Sequence, residues 1–147
     1  MKILLAAVKS ALQAGLSGTV RPSDVYITPH VNYIPRSVRM PCVAIAGNGA
    51  ERTELIGGAH ATMAKVMVVV YVDLAKEEAV IMGDAATGQK GLLDLADAVC
   101  SILDGNTLGV ANVLWAQCHT ESASELFGNE TAMVCRKILD YDYTMEG

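Results

Sequence analysis

The stretch AKVMVVVYVDL, residues 64–74, decides the fold because it is the most strand-like segment of the chain. Valine and tyrosine favour extended backbone. Successive side chains of a strand point to opposite faces, and apolar residues here occupy both sets of alternating positions. A strand that is apolar on both faces is typical of the inside of a sheet. We therefore predict a central strand at these residues.

The segments around this strand predict a sheet with several members. Gly57 and Gly58 lie between residues 51–56 and the segment from residue 60 onward, and paired glycines supply the positive φ of a tight turn, so this region predicts a hairpin. Further predicted elements are a strand at 24–28, an extended loop at 30–40, a brief strand at 41–46, a strand at 110–121, a loop at 121–129 and an alternating strand at 133–143.

Two segments have the apolar spacing of amphipathic helices. Gly105 stands where a glycine often ends a helix, just beyond the second one. The first apolar stripe comprises Leu4, Leu5, Val8, Leu12 and Leu16, and the second comprises Leu92, Leu95, Ala96, Val99, Ile102 and Leu103. The first helix is preferred to a secretory signal because Lys9 interrupts its apolar run.

The order of these elements predicts the fold class. The last two strands have no helix between them, which favours an antiparallel pair. We expect an α+β fold with one open mixed or antiparallel sheet and two main helices packed on one face, as a single domain over residues 1–147. Its core should include Val68, Val70, Val99, Leu103, Leu139 and Tyr141.

Composition excludes some functions. The chain has 147 residues, 52% of them hydrophobic and 18% charged, with a formal net charge of −5. This composition excludes disorder, and the scarcity of charge suggests that other chains cover some apolar surface. Tight nucleic-acid binding needs clustered cations, and no Lys/Arg run is present. No apolar stretch reaches the ~20 residues of a membrane span.

Two segments resemble cofactor-binding motifs, but neither meets the requirements of its motif. In residues 83–90, Lys90 comes one position late for a phosphate-binding loop, and Gly91 stands where a hydroxyl is needed. Residues 47–52 resemble the start of a dinucleotide fingerprint but predict a turn, because a strand-like segment follows them rather than a helix. No G-x-S-x-G nucleophile elbow occurs. We therefore expect no catalytic site, no cofactor and no enzyme activity.

Metal and disulfide sites are not indicated either. His119 and Glu121 lie on one strand face, but two ligands do not make a metal site. The four cysteines lie in apolar segments without C-x-x-C spacing, so we expect buried free thiols, a cytosolic site of synthesis and no bound metal.

Two loop tips carry the candidate interface residues. Glu51, Arg52 and Glu54 cluster on the predicted hairpin. Leu126 and Phe127 lie in an otherwise polar loop, and buried aromatic anchors often dominate interface energetics. The alternatives without an interface are that the hairpin charges are simply solvated and that Phe127 packs against the core of its own chain.

Taken together, the ordered elements resemble the tail terminator (tail completion) proteins of long-tailed bacteriophages. The resemblance covers nearly the whole chain and depends on pattern and spacing rather than on one motif. The residues that carry it are the start helix with Leu5, Val8 and Leu12, PCVAIAGNGAE at 41–51, the hairpin into AKVMVVVYVDLA, GLLDLADAVCSILD at 91–104, and AMVCRKILDYDY at 132–143 after ELFGNE.

This resemblance implies a structural protein of the virion, made in the host cytoplasm and located in the tail or neck. Such proteins form a hexameric ring that caps the tail tube, ends tube polymerisation and meets the head-side connector or stopper. DNA passes through the lumen of the ring without specific binding, and no membrane is involved. The alternatives are another head–tail connector or minor tail protein, or a small-ligand-binding α+β domain or enzyme.

Overall fold

A computed structural model describes residues 1–54, 56–58, 60–74, 77–84, 86, 88, 90–128 and 133–146, with the side chains of 77–79 left aside. The helices are α1 (Lys2–Gly15), α2 (Glu77–Met82) and α3 (Leu92–Leu103), and a short 3-10 helix covers Pro22–Asp24. The strands are β1 (Val25–Ile27), β2 (Cys42–Glu54), β3 (His60–Asp73), β4 (Val113–Glu121), β5 (Glu125–Phe127) and β6 (Val134–Glu146).

The strands form one mixed sheet in the order β1-β2-β3-β6-β4. β3 lies between β2 and β6 and pairs antiparallel with both, which confirms the predicted central strand. β4 pairs antiparallel with β6, as expected from the absence of a helix between the last strands. β1 pairs parallel with β2, so the sheet is mixed. The short β5 pairs with the first residues of β6, beyond the end of β4.

α1 and α3 pack on the same face of the sheet, which confirms the predicted fold class. Their buried residues form one cluster with the facing side chains of β2, β3, β4 and β6. The periodicity explains this packing, because the apolar side chains recur along one side of each helix. All six predicted core residues are fully buried, namely Val68, Val70, Val99, Leu103, Leu139 and Tyr141.

The opposite face of the sheet is half covered by a loop rather than by helices. Residues 28–41, here called the cover loop, lie over a second apolar cluster that includes Cys42, Ala44, Val69 and Tyr71. The Tyr71 hydroxyl donates a hydrogen bond to the Val31 carbonyl and fastens the cover loop to β3. The segment predicted as an extended loop at 30–40 therefore forms part of the core.

The prediction of a turn at residues 47–52 was wrong. These residues belong to β2, which continues without interruption into the hairpin. A β-bulge between Gly47 and Ala50 absorbs one extra residue, and Gly49 takes the positive φ of 83° that the bulge requires. The predicted strand at 41–46 and the first arm of the predicted hairpin thus belong to one long strand, Cys42–Glu54, whose last residue pairs with His60.

Two further elements differ from expectation. The predicted loop at 121–129 contains β5, because residues 125–127 pair with β6. α2 was not predicted, since its six residues are too few for a periodic pattern. Of residues 83–90, which lack the spacing of a phosphate-binding loop, residues 85, 87 and 89 lie outside the described part of the chain. Gly91 forms the N-cap of α3, and Gly105 follows its C-cap with a φ of 67°.

Candidate assembly interface

The β2–β3 hairpin extends beyond the helix-covered core as an arm, residues 47–63. Every residue from Gly47 to Glu54 is exposed, and Ile56 at the tip is fully exposed. The third strand beside the arm is the end of β6, where Ala61 pairs with Glu146. β6 therefore supports β3 along residues 61–63, whereas within the described chain the outer edge of β2 has no strand beside it over residues 46–54.

The predicted charges on the arm divide between its two faces. Glu51 points to the face of the cover loop, and its carboxylate lies 3.1 Å from the Lys65 ammonium. Arg52 and Glu54 alternate with it and point to the helix face. Among the described residues, the structure gives neither Arg52 nor Glu54 an ion pair. These two side chains are therefore available to another molecule.

β5 places Leu126 and Phe127 on opposite sides of the sheet. The Phe127 ring packs against its own chain, with its centroid 5.9 Å from that of Tyr71 and 4.1 Å from the guanidinium carbon of Arg136. Leu126 points the other way and is 60% exposed. Of the two predicted placements of Phe127, this monomer shows the ring folded back, and Leu126 is the apolar side chain left at the surface.

Arg136 joins three parts of this region, although it is not among the interface residues predicted from the sequence. Its guanidinium donates hydrogen bonds of 2.6 Å to the Glu125 carboxylate and of 2.6 Å to the Asn32 side chain. It therefore links β6 to β5 and to the cover loop. Burial raises the pKa of Tyr71, and the neighbouring Arg136 guanidinium opposes that shift. Its charge did not single it out, because Lys137, Asp140 and Asp142 of the same strand are charged too, and its partner Asn32 lies 104 residues away.

The structure does not bring the two sets of predicted interface residues together. β5 pairs with residues 134–136 at one end of β6. The arm lies beside residues 144–146 at the other end, across β3. The two sets therefore form separate surfaces at opposite ends of the sheet. This arrangement suits heterologous contacts, in which each subunit offers two different patches.

Groups with catalytic or metal-binding potential are dispersed among the described residues. Nowhere in that part of the chain do three His, Cys, Asp or Glu side chains converge as metal ligands. His119 contacts Asp142 at 3.3 Å on the exposed strand β4. All four cysteines are free. Burial raises the pKa of Cys42 and of Cys118 to about 12, so both thiols are protonated at neutral pH and are weak nucleophiles.

Comparisons with known proteins show a likeness of fold to a solved structure. No protein-family model and no curated protein matches the chain. A chain in the solved structure described as the virion of a native gene transfer agent (GTA) particle has the same fold, with a TM-score of 0.57. The match is 19% identical and covers 98% of this chain and 95% of that one. None of the described helices is long and apolar enough to cross a membrane.

Proposed function

We propose that the protein is a structural component of a virion that forms a hexameric ring on the end of a tail tube. The ring ends tube polymerisation and joins the tail to the head-side connector. The observation that carries this proposal is the likeness of fold to a virion chain over 98% of the sequence. The order of elements, which resembles that of the tail terminator proteins, supports the specific role.

Two surface features support ring formation. A closed ring needs two different patches on each subunit, related by a rotation. The arm with Arg52 and Glu54 offers one patch, and the exposed Leu126 of β5 offers another at the opposite end of the sheet. The arm projects beyond the core, so it can reach a neighbouring subunit without distorting the sheet.

The charge of the chain supports the passage of DNA through the lumen. The formal net charge is −5. A mildly acidic ring repels the phosphate backbone, which keeps DNA from adhering as it moves. The protein acts here as a passive conduit and joint without a reaction of its own. We propose this structural role over that of a ligand-binding domain or enzyme.

The mass of the purified protein, measured by light scattering together with electron microscopy, tests the proposal. We expect rings of six times the 15.5 kDa of one chain, either alone or after addition of tail-tube protein. Added before tube assembly, the protein should shorten the tubes that form. A chain that is monomeric at high concentration, both with and without tube protein, contradicts the ring. A ring that leaves tube length unchanged indicates another connector or minor tail protein.

A further inference from the structure

The outer edge of β2 is open along the arm. β1 pairs with β2 only at residues 43–45, so within the described chain no strand lies beside β2 over residues 46–54. Open edges are templates for pairing with another strand. A β-bulge between Gly47 and Ala50 interrupts the part of this edge nearest the core. The regular part of the edge is therefore the outer end of the arm, from Ala50 to Glu54.

The register identifies which backbone groups of this edge point outward. The Thr28 amide donates a 2.8 Å hydrogen bond to the Ile45 carbonyl, so the backbone groups of residue 45 face away from β3. Direction alternates along an antiparallel ladder, and the bulge adds one residue to β2. The outward groups at the end of the arm are therefore those of Arg52 and Glu54, whose side chains share the helix face.

The charges on this edge are complementary to those of a second copy of the same edge. Arg52 and Glu54 are exposed, lie two residues apart and have opposite signs. When two copies of the strand run antiparallel about a two-fold axis at Thr53, Arg52 of each copy lies opposite Glu54 of the other. Both residues face outward, so they form hydrogen-bonded pairs in which each residue donates one backbone N–H···O bond to the other. The backbone and the side chains thus favour the same register.

The neighbouring registers are disfavoured by charge. A two-fold axis at residue 52 places Arg52 opposite its own counterpart, and an axis at residue 54 does the same for Glu54. Like charges directly opposite each other on a sheet are destabilising, whereas opposite charges attract. An edge protected by charges of a single sign could not pair with itself in any register, but this edge carries one charge of each sign. Charge therefore selects the axis at Thr53.

We propose that two unassembled copies of this chain pair through the arm edges of β2 about a two-fold axis at Thr53. A two-fold axis brings the same edge of both copies to the same level, so the two surfaces match by symmetry. The strands run in opposite directions, which places the helix-covered cores on opposite sides of the axis. Residues 56–58 of one arm come level with residues 48–50 of the other, and β1 does not obstruct them because its pairing ends at residue 45.

This arm pair goes beyond the proposed ring and does not depend on it. Arg52 and Glu54 also belong to the patch that the ring would use, so one subunit cannot make both contacts through the arm at once. The paired segment is short, and we expect a weak dimer that dissociates on dilution and gives way to the ring when tube protein is present. In the free protein, the pair covers a strand edge that is otherwise open to aggregation.

Charge reversal and mixing test the arm pair. Arg52→Glu places two carboxylates opposite each other, and Glu54→Arg places two guanidinium groups opposite each other. Each variant alone should therefore self-associate about tenfold or more weakly than wild type. A mixture of the two variants restores opposite charges at both positions and should form a 1:1 dimer about as tightly as wild type. Sedimentation equilibrium without tube protein measures these affinities, and the melting temperature of each variant shows that it is folded.

Two outcomes of sedimentation overturn the arm pair. One is a wild-type chain that stays monomeric at about millimolar concentration, where even weak pairs form. The other is a mixture that associates no more tightly than the single variants. Neither outcome bears on the ring, which is tested separately by mass and tube length in the presence of tube protein.

A cysteine at the axis tests the register. Thr53 lies opposite its own counterpart in a non-hydrogen-bonded pair, where Cβ atoms are about 4.5–5.5 Å apart, which is close enough for a disulfide after a small adjustment. Thr53→Cys should therefore give a covalent dimer on mild oxidation. Thr62→Cys on β3 is the matched control, because it lies three strand spacings, about 14 Å, or more from its counterpart. Equal cross-linking of the two variants, or cross-linking of neither, overturns the proposal.

Discussion

Asp24 is a single buried carboxylate that ties three segments together. It is 2% exposed and accepts hydrogen bonds of 2.7 and 3.0 Å from the Arg21 guanidinium. It also accepts a 3.1 Å hydrogen bond from the Arg39 amide near the end of the cover loop. A buried carboxylate requires partners of this kind, because an unpaired charge away from water is costly. Asp24 thus fixes the start of β1 against the far end of the cover loop.

The hydrogen bonds from Arg21 hold the pKa of Asp24 below its usual value. A lowered pKa in the folded state stabilises the protein fully above the unfolded pKa of about 3.9, and the contribution is lost as the pH falls through the folded pKa. We expect Asp24→Asn to lower the free energy of unfolding by about 1–3 kcal/mol at pH 7. In urea unfolding between pH 7 and pH 3, the difference in unfolding free energy between Asp24→Asn and wild type should become smaller as the pH falls. Asp97→Asn, on the exposed face of α3, is the control. An equal loss of unfolding free energy in both variants contradicts the stabilising role of the Asp24 carboxylate.

Leu126 and Phe127 are adjacent residues whose substitutions should have different effects. Phe127→Ser removes the ring from Tyr71 and Arg136 and should lower the melting temperature by several degrees, a loss of about 1–3 kcal/mol. Leu126→Ser changes an exposed side chain and should leave the melting temperature nearly unchanged while it weakens assembly. Thermal unfolding and sedimentation on both variants test this pair. If Phe127→Ser weakens assembly but leaves the melting temperature unchanged, the Phe127 side chain contacts a neighbouring subunit rather than its own sheet.

At the level of elements, α3 shows how far an apolar stripe fixes the packing. Its predicted register is confirmed, with Val99 and Leu103 fully buried under α1 and against the sheet. Truncation of either side chain leaves a cavity, so Val99→Ala and Leu103→Ala should each cost about 1–4 kcal/mol. Urea unfolding measures this loss. Ser101→Ala on the exposed side of the same helix is the control and should stay within about 0.5 kcal/mol of wild type.

The arm should respond to charge through the rate of association. Arg52 and Glu54 share one face of the arm, and the formal charge of the chain is −5. Arg52→Glu therefore adds like charge at the proposed boundary and should slow ring formation, most strongly at low salt. Stopped-flow light scattering at two salt concentrations measures the rate. If Arg52→Glu associates at the same rate as wild type at both salt concentrations, Arg52 lies outside the interface.

Long periodic elements were predictable from the sequence, and irregular ones were not. The stripes of α1 and α3 and the apolar strand β3 each carry enough residues for a pattern to repeat. β2 was divided in two because Gly47 and Gly49 read as a turn, whereas a bulge uses the same glycine chemistry inside a strand. β5 has three residues, and its pairing depends on β6 rather than on any local preference.

The residues of the candidate interface also differ in how far the sequence predicts them. The exposure of Arg52, Glu54 and Leu126 follows from charge and loop composition, which the sequence displays. The role of Arg136 could not be predicted, because it depends on a partner placed by the tertiary fold. Asp24 has a local partner in Arg21, but its hydrogen bond from the Arg39 amide also depends on the fold. Arg136 lies 104 residues from its partner Asn32. No local pattern records a contact of that separation.

At the scale of the whole molecule, net charge governs the encounter with DNA. An acidic protein without clustered cations releases few counterions, so we expect it to bind duplex DNA more weakly than about 10⁻⁴ M at about 0.15 M salt. Fluorescence anisotropy with a labelled duplex measures this affinity on the assembled protein. A variant with Glu51 and Glu54 both changed to Gln has a formal net charge of −3 instead of −5 and should bind more tightly. Micromolar binding by wild type would contradict the passive-conduit role.

The position of β6 has a consequence for synthesis. The sheet places β6 between β3 and β4, although its residues, 134–146, are synthesised after those of both neighbours. Until they emerge, β3 lacks one neighbour and β4 lacks the strand with which it pairs. The nascent chain therefore exposes an apolar, unpaired strand edge until β6 has been synthesised, and an edge of this kind is prone to aggregation. In the proposed ring, a subunit joins only after β6 has been synthesised and the sheet is complete.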